Sequence, residues 1–423
     1  MTVFGQDPAA TRGLRPRSPH AGARRATALV FAAQGAAVAA VSTTIPAVKE
    51  CFGLQPLVTT AVILAVALAA GAGSFLGLAA IHRLGPVAAM RACVMVAAAA
   101  LLCIAWAPDT PILVLSYVLF GLGVGGIDVS ANTRAAAVER HYGHSIFASF
   151  YAVWSCAGVA GALVTAGTSR LGWPVADTLT VQAACVIVLA LGIRSHSLPA
   201  TTPDTAPDHV ETNPVPAAAS SGSGVWTRLI PFGIVLLVAY VVDSSVSTWS
   251  TAYLHQTLAA SLAAAPLAYA AYQAGTVAGR SGADRLVRRI GPAAVIRWAA
   301  TVTAVALAAL ACAPGWPTAV AAAGLIGLGV SAFAPLCLAS AGRLQPEAAE
   351  AILARLNLFN YFGVIAGGAA SGVLGSAGHF RLAYAAPVLP VLLLMAAARY
   401  FTPAGAPDRP VVGKARELAA EPV

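Results

Sequence analysis

Hydrophobic residues in this chain occur in long, nearly unbroken blocks, and polar residues are concentrated in the short stretches between them. Each block holds about 20 residues, roughly the length of helix that crosses the hydrocarbon core of a bilayer. The pattern predicts an all-α membrane protein. We place twelve transmembrane helices at 26–47, 57–81, 87–107, 110–133, 145–168, 174–194, 229–254, 263–283, 293–313, 317–342, 351–375 and 380–401.

The composition indicates lipid as the solvent. Of 423 residues, 58% are hydrophobic and 10% are charged, whereas soluble domains carry about 25% charged residues. A chain this apolar lacks the polar surface that it needs in water. Several arginines precede the first block, as in a signal peptide. Because that block exceeds 20 residues and many more follow it, we interpret it as a first membrane span.

The basic residues sort by side of the membrane and form no nucleic-acid patch. With a cytoplasmic N-terminus, the outer loops hold only Lys49, Arg170 and Arg381, and the other 22 of 25 (25 − 3) lie in cytoplasmic segments or at cytoplasmic helix ends. This is the positive-inside pattern. We therefore expect a multi-pass protein of a bacterial cytoplasmic (inner) membrane, with both termini in the cytoplasm and only minor contacts of the basic tails with lipid.

The two halves of the chain are copies of one another. Three separated matches share an offset of 206 residues: HRLGPVAAMR at 82–91 with RRIGPAAVIR at 288–297, GLGV at 121–124 with GLGV at 327–330, and Ile146 and Ala148 with Ile352 and Ala354. The chain is therefore predicted to form two pseudo-symmetric six-helix bundles.

The domain boundaries follow from this repeat and from composition. The stretch 195–227 is rich in Pro, Thr, Ser and Ala, and it lacks the apolar residues needed for a core. We predict a basic cytoplasmic tail (1–25), an N-terminal bundle (26–194), a flexible cytoplasmic linker (195–227), a C-terminal bundle (228–402) and a cytoplasmic C-terminal tail (403–423).

This architecture resembles the major facilitator superfamily, whose halves rock around a central site to give alternating access. The segment GRSGADRLVRRIG, from Gly279 to Gly291, resembles the signature loop of that superfamily. The resemblance implies a gating network that closes the cytoplasmic side, whereas the alternative is that these charges only set topology. The equivalent first-half loop has Leu78 where Asp284 aligns, so such a network is unequal between the halves. The gating-loop candidates are Gly279, Asp284, Arg285, Arg288, Arg289 and Gly291.

Further stretches resemble the fucose–proton symporter-like branch of the superfamily: GLGVGGIDVSANTRAAAVE at 121–139, DSSVSTWSTAYL at 243–254 and YAAYQAGTVAGRSGADRL at 269–286. That branch has a proton-coupling acid in its fourth helix, which implies this role for Asp128. The acid in the first helix of the branch has no counterpart here, where the polar groups include Gln34, Ser42 and Thr43.

Asp128 and Asp243 are the two acidic residues that sit well inside predicted spans. A carboxylate at membrane depth costs about 2.5–3.5 kcal/mol on insertion scales, so it needs a cavity, a partner or a proton. Asn132 lies four residues after Asp128 and hence on the same helical face. Both aspartates are therefore candidates for proton coupling. A structural hydrogen bond between helices is the alternative for each.

Amide and aromatic side chains recur on single faces of several spans, as expected of a cavity that binds a hydroxylated or ring-containing solute. The alternative is that these aromatic residues pack between helices. The substrate-cavity candidates are Gln34, Asn132, Tyr151, Trp154, Trp249, Tyr272, Gln273, Asn357, Asn360 and Tyr361.

The sequence contains no signature of an enzyme. It has no CxxC pair, no nucleotide-binding GxxxxGK[ST] motif and no credible group of nucleophile, base and acid. We expect no cofactor and no metal. The predicted function is secondary active transport of a small organic solute, such as a sugar-like or hydroxylated metabolite, coupled to protons and performed by a monomer. The alternatives are an exporter of drug-like or natural-product compounds and a membrane sensor or assembly partner that transports nothing.

Overall fold

The computed structural model describes residues 21–142, 146–194, 223–342 and 349–401, except for the side chains at 223–228, 284, 342, 349–355 and 357. Throughout these ranges the regular structure is helical. The helices are α1 (Ala21–Cys51), α2 (Pro56–Leu84), α3 (Pro86–Ala105), α4 (Thr110–Tyr142), α5 (Phe147–Arg170), α6 (Val175–Gly192), α7 (Ser223–Thr257), α8 (Pro266–Ile290), α9 (Pro292–Ala311), α10 (Trp316–Val330), α11 (Phe333–Gly342), α12 (Ala349–Ser376), α13 (Phe380–Ala385) and α14 (Val388–Ala397).

These helices form twelve membrane-crossing segments, as predicted. α10 and α11 together make one crossing, and α13, α14 and the 3₁₀ turn Ala398–Phe401 make the last. Within the described residues, eleven segments are long and apolar enough to span a membrane. α8 is the twelfth segment. It is 25 residues long but less apolar, because Arg280 and the charged signature loop lie within it.

Several helices extend beyond the predicted spans. α1 begins at Ala21 instead of 26, α4 continues to Tyr142 instead of 133, and α8 continues to Ile290 instead of 283. The additional turns carry charged residues. The spans predicted from hydropathy stop at these residues, whereas the helices continue beyond the apolar core of the membrane.

Glycine contacts in the structure follow the repeat. A Cβ atom added to Gly73 of α2 would overlap the Leu122 carbonyl of α4, and one added to Gly279 of α8 would overlap the Leu328 carbonyl of α10. Each residue of the second contact lies 206 positions after its counterpart in the first. The same helix pairs therefore approach closely in both halves, as small residues allow in membrane helices.

Most of the buried apolar residues fall into two clusters, one for each half. The first is built from residues of α1–α6, and the second from α7 onward together with Ile45 of α1. We call the end of the bundle that carries Lys49 and Arg381 the Lys49 end, and the opposite end, which carries Arg83 and Arg288, the Arg83 end.

Candidate functional site

Polar side chains of three first-half helices meet near the middle of the bundle. Gln34 of α1 donates a 2.5 Å hydrogen bond from Nε2 to the Asp128 carboxylate of α4. The Tyr151 hydroxyl of α5 donates a 3.2 Å hydrogen bond to Oδ1 of Asn132, one turn after Asp128. Phe31 contacts the Tyr151 ring edge-on, with 5.3 Å between ring centroids. Four of the predicted site residues are thereby brought together.

Asp128 borders an open space inside the protein. Its side chain is exposed, although its partner Gln34 is only 5% exposed and belongs to the most buried of the membrane-spanning segments. A carboxylate on this inward-facing side of α4 is surrounded by protein and remains accessible to water. Asp128 therefore has both a hydrogen-bond partner and access to this space.

The second half contributes Asp243, whose carboxylate accepts a hydrogen bond from the Tyr272 hydroxyl. Tyr272 is buried in α8, whereas Asp243 of α7 is half-buried. Tyr240, one turn before Asp243 on α7, lies within electrostatic range of the same carboxylate. Asp243 is thus held by a neutral donor of its own half, as Asp128 is held by Gln34.

Arg280 connects the two groups. Its guanidinium donates a 3.4 Å hydrogen bond from Nη1 to the Ser155 hydroxyl of α5, and its Cζ atom lies 5.7 Å from the centre of the Tyr151 ring. It also interacts electrostatically with Asp243 and Tyr272 in its own half. This cation belongs to the second half and reaches the first, so that the two halves share one polar centre.

Sequence reasoning did not select Arg280 as a site residue. With the predicted span 263–283, Arg280 appeared to lie near a helix end, too far away to be a direct partner of Asp243. Because α8 continues to Ile290, Arg280 lies ten residues before its end, which is about 15 Å along the helix axis. It is therefore near the middle of α8. Its interaction with Asp243 is electrostatic across a gap, since no ion pair within 4 Å joins these two described side chains.

Asn360 and Tyr361 of α12 lie on the other side of this centre. Tyr361 is 61% exposed, yet it lies within electrostatic range of Tyr151 in the first half. Asn360 is half-buried. An exposed side chain close to an interior residue of the opposite half indicates that water-accessible space separates the halves here. The side chain of the remaining α12 candidate, Asn357, lies outside the described residues.

At the Lys49 end, the halves are in direct contact. Lys49 donates a 3.2 Å hydrogen bond from Nζ to Oε1 of Gln256, and Glu50 Oε1 lies 2.5 Å from His255 Nε2. Nearer the centre, Thr60 of α2 donates a 2.9 Å hydrogen bond to the Gly372 carbonyl of α12. These contacts join the two halves at the Lys49 end.

Three other cavity candidates lie within helix contacts. Trp249 is 3% exposed and donates a 2.9 Å hydrogen bond from Nε1 to the Gly368 carbonyl. Gln273 is buried at the α5–α8 contact against Gly158, and Trp154 packs its backbone against Gly35 of α1.

The gating-loop candidates occupy the end of α8. Arg285, Arg288 and Arg289 are exposed in its last turns, and the side chain of Asp284 lies outside the described residues. Gly291 ends the helix with φ 80°, and Gly85 ends α2 with the same φ, 206 residues earlier. A positive φ favours glycine, which explains this residue in both loops.

Metal binding finds no support in the described part of the chain, where no group of three or more His, Cys, Asp or Glu side chains is suitably placed. The described cysteines are all free thiols.

The model of the Major Facilitator Superfamily matches residues 26–315 and, in a second placement, 232–422. An uncharacterized MFS-type transporter of Yersinia pestis is 26% identical over 387 residues, which cover 89% of this chain and 95% of that protein.

Solved structures with the same fold include the nucleoside transporter NupG, with a TM-score of 0.67 and 15% identity over 90% of this chain and 99% of that one. The transporter FucP in its outward conformation has a TM-score of 0.60 and 14% identity, covering 92% of this chain and 100% of that one. The chain belongs to the Major Facilitator Superfamily and is a membrane transporter, not an enzyme.

Proposed function

We propose that this transporter moves a small hydroxylated organic solute together with protons, by alternating access to the centre between its halves. One observation carries the proposal: Asp243 interacts electrostatically with Arg280, and Tyr151, whose ring faces Arg280, lies within electrostatic range of Asp128, so that carboxylates of both halves border one polar centre. Ionisable groups at membrane depth are costly, and they mark solute and proton pathways.

The distribution of charge supports an orientation. We assign the Lys49 end to the outside and the Arg83 end to the cytoplasm of a bacterial inner membrane, with both termini cytoplasmic, because the basic residues concentrate at the Arg83 end. We infer that the contacts at the Lys49 end close the site to the outside, and that the site is open to the cytoplasm in this state. The chain contributes both halves of this site, which supports action as a monomer.

The solute class rests on the groups that face the centre. Asn132, Tyr151, Asn360 and Tyr361 provide amide and hydroxyl groups beside aromatic rings, which suit a solute with hydroxyl groups. Among proteins of the same fold, NupG is named as a nucleoside transporter and FucP as a fucose:proton symporter. A hydroxylated solute and proton coupling are consistent with both names.

Alternating access assigns roles to the two bundles. We propose that residues 26–194 and 228–402 move as two units joined by the linker 195–227, and that the loop from Gly279 to Gly291 helps to close the cytoplasmic side in the outward-open state. The contacts at the Lys49 end would then break as those at the Arg83 end form.

Uptake into proteoliposomes tests the proposal. Vesicles with and without the protein are incubated with a deproteinised metabolite extract, and mass spectrometry identifies the compounds taken up under an acid-outside pH gradient. We expect protein-dependent uptake that decreases when nigericin collapses the gradient. Counterflow of a labelled compound from this set then separates a transporter from a sensor. Uptake that does not depend on the pH gradient would contradict proton coupling. The absence of any protein-dependent uptake would contradict the transport proposal.

A further inference from the structure

The Arg280 guanidinium has more hydrogen-bond donors than the described side chains use. A guanidinium has five N–H donors arranged in a planar fork. Among the described residues it makes one long hydrogen bond, 3.4 Å, to Ser155, and it faces the Tyr151 ring. The side chain is only half-buried, at the edge of the space between the halves. The remaining donors are thus available to a molecule that enters this space.

The nearby carboxylates are occupied by other donors. Gln34 donates to Asp128, and Tyr272 donates to Asp243. Neither aspartate forms an ion pair within 4 Å of Arg280 among the described side chains. Arg280 interacts electrostatically with Asp243 and would be expected to pair with it if its role were to neutralise charge, but here neutral donors hold both acids.

We infer that the transported solute carries a carboxylate and that Arg280 binds it across the gap between the halves. The inference rests on the proposed function, since it identifies the solute class of the same site. The guanidinium fork matches a carboxylate with two parallel hydrogen bonds. The hydroxyl groups of the solute would face Asn132, Tyr151 and Asn360, which makes a hydroxylated organic acid the expected solute.

The charges around Arg280 connect this carboxylate with protons. Among the described residues, the ionisable groups at or within electrostatic range of the centre are Asp128, Asp243 and Arg280. The others are the phenols Tyr151, Tyr240, Tyr269, Tyr272 and Tyr361 and the Cys337 thiol. Arg134, the next cation on α4, is buried six residues after Asp128 and has an interaction of its own. With both aspartates ionised, the centre carries one net negative charge, which disfavours the entry of an anion.

A centre without net charge has the lowest free-energy cost in low-dielectric surroundings. Without solute, one proton shared by the two aspartates balances Arg280. With a bound monocarboxylate, balance requires protons on both aspartates. The loaded centre thus carries one more proton than the empty one. The cycle would move one carboxylate with one proton and no net charge.

The test uses chemically defined fractions of metabolites. A deproteinised bacterial extract is separated by ion exchange into anionic, neutral and cationic pools, and each is offered to proteoliposomes under an acid-outside pH gradient. We expect uptake of carboxylic acids from the anionic pool. Arg280→Gln should reduce this uptake about tenfold or more, since it removes hydrogen bonds between charged groups, whereas Arg280→Lys should retain part of it. The matched control is Arg297→Gln, which replaces an exposed arginine of α9.

The outcomes distinguish the inference that the solute is a carboxylate from the transport function on which that inference rests. Uptake from only the neutral or cationic pool, or anion uptake that Arg280→Gln leaves intact, overturns the inference and leaves the transport function standing. No uptake from any pool by the unaltered protein contradicts the proposed function itself. In valinomycin-clamped vesicles, uptake of the acid should not change with membrane potential. A strong dependence on potential would contradict the charge balance.

Discussion

Gln34 of α1 and Asp128 of α4 are joined by a 2.5 Å hydrogen bond that binds the most buried of the membrane-spanning segments to the edge of the central space. The amide donates to the carboxylate, which remains exposed to that space. An amide cannot itself take up or release a proton at neutral pH, so the proposed proton role falls on the carboxylate. Gln34 positions it.

Asp128→Asn is expected to weaken accumulation driven by a pH gradient, and Asp128→Asn combined with Asp243→Asn to abolish it, because Asp243 alone can still carry a proton. Both variants should keep counterflow exchange of the same solute. Asparagine retains the shape of the side chain and its hydrogen bond to Gln34, but it cannot carry a proton. The measurement compares gradient-driven uptake with counterflow in the same proteoliposomes.

The matched control is Asp109→Asn, at the residue just before the same helix. Asp109 is exposed and accepts a 2.9 Å hydrogen bond from the Ile112 N–H at the start of α4, a role that asparagine performs about equally well. Asp109→Asn should behave like the unaltered protein. Full gradient-driven accumulation by Asp128→Asn would exclude this residue from the coupling.

The contact between Glu50 and His255 predicts a pH-dependent closure of the Lys49 end. His255 Nδ1 lies 2.7 Å from the Ala260 carbonyl, which can only accept, so Nδ1 carries a hydrogen. The 2.5 Å contact from Nε2 to the Glu50 carboxylate then needs a second hydrogen, on either partner. Lys49 and Gln256 lie beside this pair. The contact is therefore complete at lower pH and is lost when that proton leaves.

Spin labels at Gln55→Cys and Ala377→Cys, both exposed at the Lys49 end of opposite halves, measure this closure as a distance. In a background without the native cysteines, we expect the labels to separate as the pH rises and the contact loses its proton.

Glu50→Gln should remove that pH dependence and keep the closed distance, because the glutamine amide donates to the unprotonated Nε2. Glu50→Ala should favour the open distance at every pH. Equal pH dependence in the unaltered protein and in Glu50→Gln would assign the titration to other groups.

Helix packing yields a prediction for stability. A Cβ atom at Gly125 of α4 would overlap the Ala70 carbonyl of α2, whereas one at Gly71 of α2 would have no atom within 4 Å. Gly125→Ala should therefore lower the free energy of unfolding by about 1–3 kcal/mol, as overpacking does. Gly71→Ala should be neutral or stabilise the helix by about 0.5–1 kcal/mol. Thermal unfolding in detergent compares the two, and equal melting temperatures would contradict the close approach of α2 and α4.

The fold was largely predictable from the sequence because lipid selects apolar helices of a fixed length, and because the repeat relates residues such as Gly73 and Gly279. The sequence also identified Asp128 and Asn132 as one face of a helix. It could not predict that Gln34 would meet Asp128, since the rotation and the neighbours of α1 depend on packing across the bundle.

Two features of the site lay beyond the sequence for physical reasons. Arg280 was assigned to a helix end because hydropathy ends the span at 283, whereas α8 continues to Ile290. The pair of Glu50 and His255 joins helix ends 205 residues apart. From the sequence alone, such charged residues at helix ends look like the residues that set membrane topology. Only the three-dimensional arrangement shows that these two ends are in contact.

The most direct test of the account is to lock the Lys49 end. In a background in which the seven native cysteines are replaced, Lys49→Cys and Gln256→Cys would be joined by a short, reducible bifunctional thiol reagent. If the two halves alternate around the central site, the cross-linked protein should take up no solute, and reduction should restore uptake to the level of the untreated variant. Undiminished uptake with the halves joined at this end would contradict the account.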